Sequence, residues 1–372
     1  MAPIGVAIIG SGIFVKEQHI PAILQCDLLS LKAIFSRSVQ SAEAAAAQLP
    51  ANSGTAPDLY AEDAGEGRAL ADLLSRADVA AVVVALPIPS QPAFVRAALA
   101  AGKHVLAEKP VGPDVAAARD LIAYAASEPV RRAGATLSVA ENQRYFPRFT
   151  YALARLEAAG RRDLGRVTHF SVRVSGLVGD DSKYYNTAWR KTPAHQGGFL
   201  LDGGVHFAAG LRMLLLGTTS AATDAAAAAA ARGDARPARV SARTALFREH
   251  LAPVDSVAAL VTTRGGATGT YQHTVGSTIS AYEFDVAFER GSVRICDQTV
   301  TVAAGGGEPV SRTFERAHGV SEEVAAWAAG IRDGSGPDPA QDAREALADL
   351  EFIERMLQSG EQEGKWLDYE LQ

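Results

Sequence analysis

Apolar and polar positions follow two different rhythms along this chain. In the first third, short unbroken apolar runs alternate with stretches of good helix formers. The runs are Ile4 to Ile9, Leu29 to Phe35, Val79 to Leu86, Val105 to Ala107 and Leu137 to Ala140. A strand covered on both faces of a parallel sheet has no solvent side, so it reads as such a run. Between the runs, Ser41 to Gln48, Ala69 to Ser75, Gln91 to Ala101 and Val115 to Ala126 predict helices. Strand and helix in alternation predict βαβ units and a doubly wound parallel sheet. Beyond about residue 150 the period becomes two. Phe170, Val172 and Val174 alternate with Ser171, Arg173 and Ser175; Tyr282, Phe284, Val286 and Phe288 alternate with Glu283, Asp285 and Ala287. Val240 to Phe247, Val257 to Thr263, Gly269 to Val275 and Ser292 to Ile295 are further strands, with turn residues at Arg264-Gly265-Gly266 and Arg290-Gly291-Ser292. This half is therefore expected to be an α+β domain with a large, mostly antiparallel open sheet, one face covered.

A chain of 372 residues suits two domains, placed at 1–135 and 136–372. Ala343, Leu347, Leu350, Ile353 and Leu357 recur at helical spacing, predicting a packing helix over about 339–358 that can return to the first domain. The polyalanine stretch 221–232 reads as a surface insertion without function.

Composition narrows the class. With 48% hydrophobic and 21% charged residues the chain is an ordinary globular one, not a disordered or fibrous one. Its 36 basic and 42 acidic residues give a net charge of −6, which argues against a nucleic-acid partner. Cys26 and Cys296 have no metal-ligand spacing, and no metal site is expected. They read as small buried residues, with a bridge left open. The N-terminus leads straight into the first apolar run without a basic start, and no run approaches the roughly 18 apolar residues needed to cross a bilayer. The expectation is a cytoplasmic protein with no membrane partner.

Four stretches carry candidate chemistry. Gly10-Ser11-Gly12-Ile13-Phe14 follows a strand and opens a helix, the context of the dinucleotide fingerprint, in which glycines let the backbone approach a pyrophosphate. Val15 stands where a third glycine would be, and a plain strand-to-helix turn would use the same residues. At the end of the second run an acidic side chain would bind the ribose of NAD; here stand Ser36 and Arg37. A guanidinium suits a 2′-phosphate, so NADP(H) is expected over NAD(H), although a solvated loop arginine would look the same. Glu108-Lys109-Pro110 follows the run at Val105, where loop residues face the ligand crevice, although this tripeptide is also common on surfaces. In Gly197-Gly198-Phe199-Leu200-Leu201-Asp202-Gly203-Gly204-Val205-His206, Asp202 and His206 lie one helical turn apart. A histidine is suited to proton exchange near neutrality and a carboxylate can orient it; an Asp cap beside a packed histidine has the same spacing.

These stretches, together with Ala140-Glu141-Asn142-Gln143-Arg144-Tyr145-Phe146-Pro147 and Trp189-Arg190-Lys191-Thr192-Pro193, resemble the glucose–fructose oxidoreductase/inositol dehydrogenase (Gfo/Idh/MocA) family. The likeness runs in order from residue 4 to about 217, and its details resemble most the small NADP-linked eukaryotic members. It implies an NADP(H)-dependent oxidoreductase moving hydride between nicotinamide C4 and the carbinol or carbonyl carbon of a sugar, polyol or related compound. It also implies a pocket between the domains and a homodimer formed through the C-terminal sheet. By the resemblance Lys109, His206 and Asp202 are catalytic. Gly10, Gly12, Ile13, Phe14, Ser36, Arg37, Leu86, Pro87, Gln91, Glu108, Lys109, Trp189 and Arg190 hold the cofactor. Asn142, Tyr145, Tyr184 and Tyr185 meet the small-molecule substrate, with packing an equal reading for the tyrosines. Leu86, Ile88 and Gln91 replace three polar positions of the family's Thr-Pro-Asn-x-x-His. An NADP-sensing regulator without turnover, a reductase of a non-sugar carbonyl or imine, and a dihydrodiol dehydrogenase are alternative expectations.

Overall fold

The computed structural model describes residues 2–50, 56–160, 164–217 and 234–372; the polyalanine stretch lies outside the described residues. The chain forms two compact units, Met1–Asn142 with Gly319–Ala346, and Gln143–His318 with Leu347–Gln372.

In the first unit, β1 (Ile4–Ile9) is followed by a helix that is π-helical over Val15–His19 and then α-helical over Ile20–Gln25 (α1). Next come β2 (Leu29–Ser36), α2 (Val39–Ala46), β3 (Asp58–Ala61), α3 (Leu70–Leu74) and β4 (Ala81–Val84). The order continues with α4 (Gln91–Ala100), β5 (His104–Glu108), α5 (Val115–Ala125), α6 (Glu128–Arg132) and β6 (Leu137–Ala140). All six strands are parallel in the order 3-2-1-4-5-6, the doubly wound arrangement. The central strands β1 and β4 have no exposed apolar residue from Val6 to Ile9 or from Ala81 to Val84, which is why they read as uninterrupted runs. Against this sheet packs a helix from the far end of the chain, whose Val320, Val324, Trp327 and Ala328 join Val6, Ile8, Val15, Ile20 and Ile23 in one core.

The second unit begins after the turn at Asn142–Tyr145, with α7 (Pro147–Ala158), β7 (Val167–Leu177), a short α8 (Ala188–Lys191) and α9 (Gly198–Leu216). Strands β8 (Pro237–Ala245), β9 (Ser256–Thr263), β10 (Thr268–Thr274), β11 (Gly276–Phe288), β12 (Gly291–Cys296), β13 (Thr299–Ala304) and β14 (Val310–Thr313) follow. The helix that joins the first unit is α10 (Val320–Asp333); α11 (Ala343–Glu361) and β15 (Leu367–Asp368) end the chain. The nine strands run 14-13-12-11-7-10-9-8-15, antiparallel except where β10 meets β7. Phe170, Val172 and Val174 face helices while His169 and Arg173 face away, the alternation expected of a half-covered sheet.

Helix α9 is 19 residues long and apolar enough to cross a membrane by length and composition, yet most of it is buried within its unit. It contains four glycines and still forms, because packing supplies what propensity lacks. Gly210 shows the closeness: a Cβ there would lie 2.5 Å from Gln143 Nε2 and 2.8 Å from the Phe149 ring. Its Arg212 shares the buried carboxylate of Asp349 with Arg144, at 2.6 Å and 2.5 Å. Cys26 and Cys296 are both free and half-buried.

Candidate active site

In the first unit the candidate residues collect at the carboxyl ends of four neighbouring strands. Gly10 N–H donates to Phe35 O at 2.9 Å, and Ala85 N–H donates to Ile9 O at 2.9 Å, so the ends of β2, β1 and β4 are tied side by side. Gly10 has φ +127°, and a Cβ on it would come within 2.2 Å of Ala85 O; no other residue fits. A Cβ on Gly12 would meet nothing within 4 Å, so the loop presents bare backbone to open space. Ser11 Oγ is 2.6 Å from Ser36 Oγ, joining the glycine loop to the end of β2. Bare loop, adjacent hydroxyls and the helix that follows suit a dinucleotide's pyrophosphate and ribose. Leu86 and Pro87 are half-buried on the loop leading to α4, and Ile13 and Phe14 open the first helix, with Phe14 edge-on to His19 at 5.3 Å.

Arg37 is exposed and forms no ion pair among the described residues. Its counterweight is not visible in the linear order of residues. Asp63, from the loop after β3, accepts the Val39 N–H at 2.7 Å, at the first turn of α2. A neighbouring loop thus places a carboxylate at the first turn of α2.

Lys109 is half-buried, and its peptide bond to Pro110 is cis. Glu108 Oε2 accepts the Lys109 N–H at 3.2 Å, while its Oε1 lies 2.8 Å from Nε2 of the fully buried His19. Gln91 donates to Glu108 O and Pro110 O. Glu323 on α10 is also buried, with both carboxylate oxygens lacking a hydrogen-bond partner. Burial first, then the nearby Glu108 and Glu141, pushes its carboxyl well above the usual range. Asn142, buried, opens the turn after β6.

A second group gathers in the second unit. Asp202 on α9, buried, accepts from Arg190 Nε at 2.8 Å. That guanidinium lies over Trp189 at 4.1 Å, with Tyr184 and Phe199 at 5.8 Å and 6.0 Å, an aromatic surround that holds a cation. Asp202, expected to orient His206, is therefore also the anchor of Arg190. His206 is half-buried one turn further along α9. Tyr185 is buried edge-on to His250 at 5.1 Å; Tyr145 is half-buried. Another residue the sequence hid is His273 on β10. It is buried beneath Gly203 and Gly204 of α9 and sits edge-on to Phe207 at 4.8 Å. Burial pushes its imidazole down to about 3, so it is a neutral packing group at ordinary pH. No group of three or more metal-ligating side chains occurs among the described residues.

A doubly wound sheet with a glycine loop at its carboxyl edge, followed by an open-sheet α/β unit, defines a dinucleotide-binding oxidoreductase class. Comparison with known proteins gives the family. Residues 4–135 match an oxidoreductase family profile described as an NAD-binding Rossmann fold, and residues 157–368 match that family's C-terminal alpha/beta domain. Dehydrogenase FPY6 of Fusarium mangiferae is 37% identical over 367 residues, covering 97% of each chain. Among solved structures, an oxidoreductase from Thermotoga maritima superposes with a TM-score of 0.79 at 25% identity, over 98% of both chains. An aldose-aldose oxidoreductase from Caulobacter crescentus superposes at 0.76 with 22% identity, over 99% of this chain and 100% of its own, and shares the fold. The chain belongs to the Gfo/Idh/MocA oxidoreductase family, whose Rossmann unit binds NAD(P).

Proposed function

We propose that this oxidoreductase uses NADP(H) and acts on the carbinol or carbonyl carbon of a sugar, polyol or related small compound. The observation that carries the cofactor reading is Arg37. It is an exposed guanidinium beside Ser36, at the strand end where a carboxylate would select NAD. The cofactor, when bound, supplies or accepts hydride at nicotinamide C4. Lys109 would hydrogen-bond the substrate oxygen and steady negative charge on it. His206 gives that oxygen its proton in reduction and takes it back in oxidation. Asp202, fixed by Arg190, holds the local field and orientation on α9. Trp189 and Arg190 serve the cofactor, and Asn142, Tyr145 and Tyr184 the substrate. We further propose a cytoplasmic homodimer formed through the open face of the nine-stranded sheet.

The test couples cofactor titration to a turnover screen. NADP+ is expected to bind more tightly than NAD+, and NADPH to be consumed with at least one member of an aldose, ketose and aldehyde panel. Lys109→Ala and His206→Ala should each lower kcat/KM by about a hundredfold or more. Tight NADP+ binding without turnover on any carbonyl or polyol would favour a cofactor-sensing regulator. Turnover retained within a few-fold in both variants would refute the assigned roles.

A further inference from the structure

The backbone that carries Lys109 is gripped on both sides by side chains far away in sequence. Gln91, the first residue of α4, is 1% exposed, and its amide nitrogen donates to Glu108 O and, at 3.2 Å, to Pro110 O. These are the carbonyls just before and one residue after Lys109. An amide group has two N–H donors, and both are engaged here, so Gln91 has none to offer a ligand. Its Oε1 is buried without a hydrogen-bond partner. On the other side His19 is fully buried, and its Nε2 donates to Glu108 Oε1 at 2.8 Å. Its Nδ1 has no hydrogen-bond partner, so the ring is committed to that one bond. The second oxygen of Glu108 closes the loop by accepting the Lys109 N–H at 3.2 Å.

Two buried polar groups that spend their hydrogen bonds on one tripeptide indicate that its position matters, because burying them costs free energy an apolar pair would not. We propose that Gln91 and His19 are positioning residues that fix where the Lys109 amine meets the substrate oxygen. This rests on the role given to Lys109 above. It also replaces the cofactor contact expected for Gln91: the side chain acts on the loop, not on the dinucleotide. Misplacement of a reacting group by about 1 Å can cost about a hundredfold in rate, which is the size of effect such a clamp controls.

The experiment uses the full chain with Gln91→Leu, which keeps the bulk and removes both donors, and Gln91→His, which can restore one. Crystal structures with NADP+, calorimetric NADP+ binding, and turnover of NADPH with DL-glyceraldehyde are measured side by side. In Gln91→Leu the 108–110 segment should shift by about 1 Å and kcat fall by about tenfold or more, with NADP+ affinity within about threefold of the parent. Gln91→His should recover most of both the position and the rate. His19→Phe, which keeps the ring and deletes the bond to Glu108, should shift the same segment and stands in should Gln91→Leu not fold. An unmoved Lys109 in a folded variant overturns the proposal, whatever DL-glyceraldehyde reports. So does a large loss of NADP+ affinity with Lys109 in place, which would make Gln91 a direct cofactor contact. Lys109→Ala separates the two readings. Turnover lost there but kept in Gln91→Leu refutes the clamp alone; turnover kept in Lys109→Ala refutes the role of the lysine.

Discussion

Arg37 and Asp63 set opposite charges at the first turn of α2. A carboxylate accepting the Val39 N–H at 2.7 Å takes one of the donors that a 2′-phosphate would use and repels the phosphate itself. Asp63→Asn keeps the side chain's size and removes the charge. It should raise the preference for NADP+ over NAD+ by roughly threefold to tenfold, on the order of 1 kcal/mol for an exposed charge. Arg37→Ala should move the ratio the other way. Parallel Kd measurements for both cofactors check the pair, and an unchanged ratio in Asp63→Asn would show that the carboxylate is a cap of α2 and nothing more. Arg37 was legible from its place after an apolar run. Asp63 was not, because nothing in a linear reading says which loop a distant strand end will meet.

At the level of elements, period and length were the reliable signals. β1 and β6 fall where the apolar runs put them, and β7 and β11 follow the period of two. The run at Val79 to Leu86 shortens to Ala81–Val84, since pairing to β1 covers only those four residues. Strand β3 has four residues at a sheet edge, and β14 is exposed at every position, so neither carries an apolar rhythm. Helix α10 was readable, with Val320, Val324, Trp327 and Ala328 at helical spacing, but its polar surroundings masked it. The strongest element-scale expectation concerns α9. By propensity Gly210→Ala should stabilise a helix by up to about 1 kcal/mol. Here the added carbon collides with Phe149 and Gln143, so the variant should lose roughly 1–3 kcal/mol, read as a lower urea midpoint. A raised midpoint would mean that the packing of α7 against α9 gives way to the added carbon.

Across the whole molecule, two buried groups of opposite sense shape stability against pH. His273 is held neutral, with its imidazole pushed down to about 3; the unfolded chain takes up a proton there below about 6.5 that the native state refuses. Its contribution is present above pH 6.5 and is lost as pH falls, at up to about 1.4 kcal/mol per pH unit. Glu323 is the reverse: the native state keeps a proton that the unfolded carboxyl releases above about 4.5, so stability is lost as pH rises. Above about pH 4.5 the loss through Glu323 opposes the gain through His273. Below that pH stability falls through His273. Denaturant unfolding from pH 3.5 to 8 should show a weaker acid limb in His273→Leu, and Glu323→Gln should gain stability relative to the parent as pH rises above about 4.5. Limbs unchanged from the parent would remove these residues from the account. The two kinds of sheet, the glycine loop and the family's motif residues were legible along the chain, because burial on one or two faces and tight backbone turns leave their mark on consecutive positions. That His19 and Gln91 grip Glu108, that Asp63 faces α2 and that Arg190 pairs with Asp202 became visible only in the folded chain. Those pairs are joined by side chains 12 to 89 residues apart, and sequence order carries no record of which hydrogen-bond partners burial will force together.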